Sequence, residues 1–216
     1  MTNVHTIKGY ANTYMILMQE IRDRHAVMAG ILDNTTRLPE FAKNEICYIQ
    51  LRMTCELIAL GCLVAHGDIP QTRSAKISAM WNAEQIMGAL SALHPDFFPR
   101  PEPVARIGPP LPLQFAPMTK RGLADLYAES GRVLHRGAML TLDRPTPGGR
   151  DRIVAWMTRL TGLLSQHRIQ LLDPDHQLWC TMNTAGYGGR VTTYLMRSTG
   201  LGKDDYTQVL APDDLA

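Results

Sequence analysis

One segment limits the folds open to this chain more than any other: Leu57-Ile-Ala-Leu-Gly-Cys-Leu-Val-Ala65 is apolar all the way round a helix. A helix without a polar face is buried on every side, so other helices must surround it. The segment closes a longer helix that the pattern places from about Pro39 to His66. Proline suits the first helical position, and Glu40 lies near the positive end of the helix dipole. Gly67 supplies a C-terminal stop. The predicted centre of the fold is therefore the buried helix of a bundle.

The partners of that helix are legible from periodicity. Ile7, Ala11, Tyr14, Met18, Ile21, His25, Met28 and Leu32 step by fours and threes, which predicts a helix from about Lys8 to Leu32. Asp33-Asn34-Thr35-Thr36 breaks it. Ser74 to Met80 reads as a short helix. Asn82-Ala-Glu-Gln85 is a capping box that opens another, through Leu93. Eight of the 23 residues from Pro95 to Pro117 are proline. That excludes helix and central strand and leaves an extended crossover. Thr119 caps a helix through about Arg136, with Leu123, Leu126, Tyr127, Ser130, Val133 and Leu134 inward. A last helix runs from about Arg150 to Gln166, with Ile153, Met157, Leu160 and Leu164 inward, after a loop at Asp143 to Gly149.

Beyond Gln166 the period changes from 3.6 to 2. Arg168–Leu172, Gln177–Asn183 and Arg190–Arg197, separated by turn residues, predict a three-stranded antiparallel meander. Ile169, Leu171, Leu178, Cys180, Met182, Val191, Thr193 and Leu195 form its inner face. The fold class is α+β, predominantly α: a helical bundle over residues 1–166, a β-meander packed on it over 167–197, and a polar, loosely held tail over 198–216.

A chain of 216 residues that is 45% apolar buries a core without staples. Cys47, Cys55, Cys62 and Cys180 show neither C-x-x-C nor zinc spacing and read as small core residues in a reducing compartment. Met1 to Lys8 has no basic stretch leading into an apolar one, as a secretory signal has. The longest unbroken apolar run, Leu57 to Ala65, is well short of the ~20 residues that span a bilayer. These features predict a cytoplasmic protein with no membrane partner. Charge is uneven: residues 119–168 carry nine basic and four acidic side chains, and residues 169–216 carry three and six. A basic middle third is compatible with nucleic acid.

Several chemistries are excluded. Gly200-Leu-Gly202-Lys203 lacks the spacing of a phosphate-binding loop, and Gly186-Tyr-Gly-Gly189 lies between two strands, as a hairpin turn does. Neither H-E-x-x-H, nor G-x-S-x-G, nor H-x-E with C-x-x-C occurs. No metal or cofactor set emerges. Three constellations remain. Glu45, Arg52 and Glu56 share one face of the central helix, either as a paired network or as a ligand-binding line inside the bundle. His25 stands at a core position, either as a satisfied core residue or as a general base beside Glu45 or Glu56. Arg132, His135 and Arg136 sit on the penultimate helix. His135 projects from a seam of small residues, while Asp125, Glu129, Arg132 and Arg136 form a polar stripe. That stripe is either solvated or, with His135, a catalytic and nucleic-acid-binding cluster.

The segments Ile46-Cys-Tyr-Ile-Gln-Leu-Arg52…Glu56-Leu-Ile-Ala59 and Leu134-His-Arg-Gly137, set on this order of helices, resemble the HEPN superfamily and uncharacterised bacterial and mobile-element proteins. HEPN proteins are helical bundles, many of them dimeric RNases of toxin and phage-defence systems. The family's arginine, followed after four to six residues by histidine, is not matched, because Arg132 lies three before His135 and Arg22 three before His25. The leading expectation is a self-associating interaction or regulatory module, with a dimer favoured, of a defence or mobile-element system. The alternatives are a HEPN-like RNase or nucleic-acid binder acting through residues 119–168, and a small-ligand sensor using Glu45, Arg52 and Glu56.

Overall fold

A computed structural model describes residues 4–33, 37–102, 116–135, 149–182, 190–200 and 206–210. Expectations for Ile7's side chain, Asn34 to Thr36, most of the proline-rich crossover, Arg136, the loop at 143–148, the hairpin turn at 183–189 and most of the tail lie outside these residues. The helices are α1 (Val4–Leu32), α2 (Glu40–Ala65), α3 (Ala75–Ser78), α4 (Ala83–Leu93), α5 (Lys120–Leu134) and α6 (Arg150–Leu164). The strands are β1 (Arg100–Pro101), β2 (Gln166–Gln170), β3 (His176–Thr181), β4 (Thr192–Ser198) and β5 (Tyr206–Leu210).

α2 is the central helix, packed against α1, α4, α5 and α6. Tyr48, Leu51, Cys55, Ile58, Ala59 and Cys62 are all but inaccessible to solvent. By length and composition α2 could cross a membrane, with a mean hydropathy of 1.4 over its most apolar stretch. More than half of that stretch is buried by the other elements, as in the core helix of a folded domain. The expectation of burial on all sides needs correction. Leu60, Leu63 and Val64 are only half-buried, so α2 keeps one side partly open.

Two glycines bring α1 onto α2. A Cβ at Gly61 would stand 3.0 Å from the ring of Tyr14 and from the end of Met18. A Cβ at Gly67 would stand 2.6 Å from the ring of Tyr10. The helix ends at Ala65 with His66 as its cap, so the predicted stop at Gly67 holds, without a positive φ, and Gly67 also gives room to a tyrosine. α1 buries Ala11, Tyr14, Met18, Ile21 and Met28 as its stripe predicts, with Ile31 in place of Leu32. Asn82 accepts from the backbone N–H groups of Glu84 and Gln85, and Thr119 from that of Gly122, so both predicted caps form.

Among the described residues the sheet has five antiparallel strands in sequence order, where three were expected. β2, β3 and β4 are the predicted meander, with Ile169 opposite Leu178 and Leu178 opposite Leu195 on the buried face. β1 adds two residues of the crossover as an edge, where proline costs no ladder bond. β5 corrects the expectation of a loose tail, since Tyr206–Leu210 pairs with β4. The four cysteines are free and buried. Burial raises the Cys47 thiol to about 11, and the other three also move upward.

Candidate functional site

The polar groups of the helical layer fall into three sets. The first was not visible in the periodicity. Glu129, assigned to a solvated stripe, is instead buried between α2, α5 and α6. Tyr48 donates to its Oε1 (2.7 Å), Trp156 Nε1 donates to the same oxygen (2.9 Å), and Arg152 Nη2 donates to Oε2 (2.6 Å). Arg152 also lies over the Trp156 ring, 4.7 Å from its centroid. Burial pushes the Glu129 carboxyl up, but the bonds from Arg152, Trp156 and Tyr48 outweigh it and hold the carboxyl below its ordinary value. A buried charge satisfied this fully is a clamp between helices. The available signal was its place three residues after Leu126 and one before Ser130, at the margin of α5's inner face.

The second set is the predicted Arg52–Glu56 pair. Arg52 Nε stands 3.5 Å from Glu56, and its Nη2 donates to the Tyr127 hydroxyl (2.6 Å). That hydroxyl donates to Glu56 Oε1 (3.1 Å). The guanidinium also stacks on the Tyr127 ring at 4.0 Å. Glu45 is exposed and outside this triangle. Arg52 reaches the turn of α5 that contains Gly131, where a Cβ would meet its Nη1 at 3.4 Å. Beyond that turn α5 ends, and His135 is its exposed C-terminal cap rather than a residue in a packed seam. Arg132 is exposed as well. Among the described residues no hydrogen bond or ion pair joins His25 or His135 to Glu45, Arg52, Glu56 or Arg132.

The third set lines a cavity. His25 turns towards α6, where its Nε2 meets the Thr161 hydroxyl at 3.1 Å and the ring bonds the Met157 backbone. Burial lowers its pKa, against the opposing effect of that backbone bond. Beside it opens a cleft of about 310 Å³. Its apolar walls are Ile21 and Met28 of α1, Leu160 and Leu164 of α6, and Met182 just after β3. Arg22, His25, Thr54, Thr161 and Ser165 supply its polar groups. The hydrogens of two hydroxyls are committed to backbone carbonyls, from Thr54 to Gln50 (2.8 Å) and from Ser165 to Thr161 (2.7 Å). Their lone pairs remain as acceptors.

Three further histidines tie helices to the sheet. His167 Nδ1 donates to the Leu164 carbonyl (2.9 Å), which leaves Nε2 to accept from Tyr14 (2.6 Å). His66 Nε2 and His94 Nε2 each lie 3.1 Å from the carbonyl of Gln170. Among the described residues no group of three or more His, Cys, Asp or Glu is placed to hold a metal ion. No family model, curated protein or solved structure matches the chain.

Proposed function

We propose that this protein is a regulatory module that binds a small ligand in the cleft between α1 and α6. The observation that carries this reading is the cleft itself. A volume of about 310 Å³ lies near the lower end of the roughly 300–1,000 Å³ usual for small-molecule sites. Apolar walls with a few convergent polar groups are the usual make-up of such a site. The lining groups suit binding better than catalysis. No described acid lines the cleft beside His25 to stabilise an imidazolium, and burial disfavours the charged form of the ring. The cleft also meets four parts of the fold: α1, α2, α6 and the exit from β3. A bound ligand would couple the bundle to the sheet, which is what a regulatory role requires.

A thermal-shift screen of small metabolites tests the reading. At least one compound should raise Tm in proportion to the logarithm of its concentration, by linkage to the folded state. A Thr161→Phe variant, which fills the cleft, should fold and lose that response. No stabilising compound, or a response that Thr161→Phe keeps, would overturn it.

A further inference from the structure

We infer that the guest of this cleft is a small, neutral, largely aliphatic molecule that donates a hydrogen bond through an O–H or N–H group; this rests on the cleft being the binding site. Three hydroxyls line the cleft: Thr54 of α2, Thr161 of α6 and Ser165, the cap of α6. Each has one hydrogen to give, and each gives it inside the protein. Thr54 donates to the Gln50 carbonyl, and Ser165 donates to the Thr161 carbonyl, in both cases one helical turn back. The Thr161 hydroxyl meets His25 Nε2 at 3.1 Å. The N–H of the neutral ring is taken by the Met157 backbone, so the hydrogen of that contact comes from the hydroxyl. What the three oxygens still offer is lone pairs. The complement of such a set is a donor.

Charge narrows the class. A carboxylate carries lone pairs only and would set them against those of the hydroxyls. Arg22 also lines the cleft, but it is already engaged with another group of the protein, as is the His25 ring. An ammonium could donate, yet among the described residues no acid lines the cleft to balance its charge away from water. A neutral alcohol, amide or ring N–H meets the acceptors without that cost. The rest of the lining suits an aliphatic body. Ile21, Leu160 and Leu164 present branched surface, and Met28 and Met182 bring flexible thioether chains that adjust to a guest. Thr161 and Ser165 stand four apart, on one face at the end of α6, so two of the acceptors are neighbours. Leu160 and Leu164 run beside them at the same spacing. A guest with its donor at the hydroxyls and its chain along the two leucines satisfies both.

The experiment compares two isomers on the full chain at neutral pH: octanol and heptyl methyl ether, which share formula and length and differ by one O–H. Octanoate and octylammonium are the charged counterparts, each below its micellar concentration. Binding is read by calorimetry and by Tm. Octanol should bind about fivefold more tightly than the ether, the worth of one neutral hydrogen bond, and more tightly than either ion. Thr54→Val combined with Ser165→Ala, checked for fold by circular dichroism, should bring octanol down towards the level of the ether. An ether as tight as octanol, or an ion that is tighter, with binding that Thr161→Phe abolishes, would overturn the neutral donor while leaving the cleft as a site. An alcohol preference that the double variant keeps in full would overturn the hydroxyls as the groups that recognise it. If none of the four probes binds, the hit from the metabolite screen replaces them and is compared with its O-methyl or N-methyl derivative. A hit that has no O–H or N–H, or that methylation leaves as tight, would overturn the proposal. No cleft-dependent binding by any compound would overturn the binding site itself.

Discussion

Tyr14 holds the ring of His167 through a 2.6 Å hydrogen bond while lying flat enough to pass over Gly61 of another helix. One side chain thus joins α1, α2 and the start of the sheet. The contact is buried throughout, with Tyr14 at 1% and His167 at 0% exposure. Neither partner can swing aside for solvent.

That immobility decides between two glycine substitutions. A Cβ at Gly67 would come closer to a tyrosine than one at Gly61, 2.6 against 3.0 Å. Tyr10 is only half-buried, however, and can rotate outward, whereas Tyr14 is pinned. Gly67→Ala should therefore change stability by less than about 0.5 kcal/mol. Gly61→Ala should destabilise by about 1 kcal/mol net, with overpacking exceeding the gain in helix propensity. Urea unfolding of the two variants checks the order, and the reverse order would contradict it.

His167 predicts an acid limb in the stability curve. Burial lowers its pKa to about 4. Between about 6.5, where an unfolded histidine titrates, and that value, the unfolded chain binds a proton that the native one refuses. Its contribution is full above that window, falls as pH falls through it, and is exhausted below it. The loss should reach ~3 kcal/mol. Denaturation midpoints measured from pH 7 to 4 should show the slope, and His167→Gln should flatten it by about one proton. Equal slopes for both proteins would mean that the ring is protonated in the native state.

The Glu129 clamp should act in a lower window. Its carboxyl is held below the ordinary range, so its stabilisation is present above about pH 4.5 and fades as pH falls further. Glu129→Ala at pH 7 should cost about 3 kcal/mol, because Tyr48 and Trp156 lose a buried acceptor. Tyr48→Phe removes one donor of several and should cost about 1 kcal/mol. Chemical denaturation of both variants gives the comparison, and equal costs would argue against a shared acceptor.

Arg132 and His135 are exposed at the end of α5 and make no hydrogen bond or ion pair through their side chains among the described residues. Alanine at either should shift stability by no more than about 0.5 kcal/mol. On the ligand-binding reading, RNA incubated with the native protein or with His135→Ala survives equally. Cleavage by the native protein that the variant lacks would move the site to this end of α5.

Periodicity revealed the helices and the inner face of the meander because burial repeats at fixed intervals along one element. Thr193 and Cys180 are as buried as their alternation implies. β1 escaped because two residues, one of them proline, carry no period. β5 escaped because its charged surroundings mask a short alternation. Charge spacing within α5 alone favours a solvated stripe for Glu129, because its partners come from two other helices, α2 and α6. The cleft was legible only through His25. Its other walls belong to α2, α6 and the exit of β3, whose juxtaposition is a property of packing rather than of any one segment.

The edge pairing of Arg100 with Arg168 has a consequence for how the chain comes together during translation. β1 emerges from the ribosome before α5 and α6, yet its partner follows both. The helices around α2 are thus available to one another while the first strand has nothing to pair with. β2, β3 and β4 each pair with a sequence neighbour, and β1 docks onto the ladder they form. Closing so long a loop is slow compared with forming hairpins. A nascent chain stalled between β1 and α5 would display two strand residues without their ladder partner, a point at which aggregation could intervene before the fold is complete.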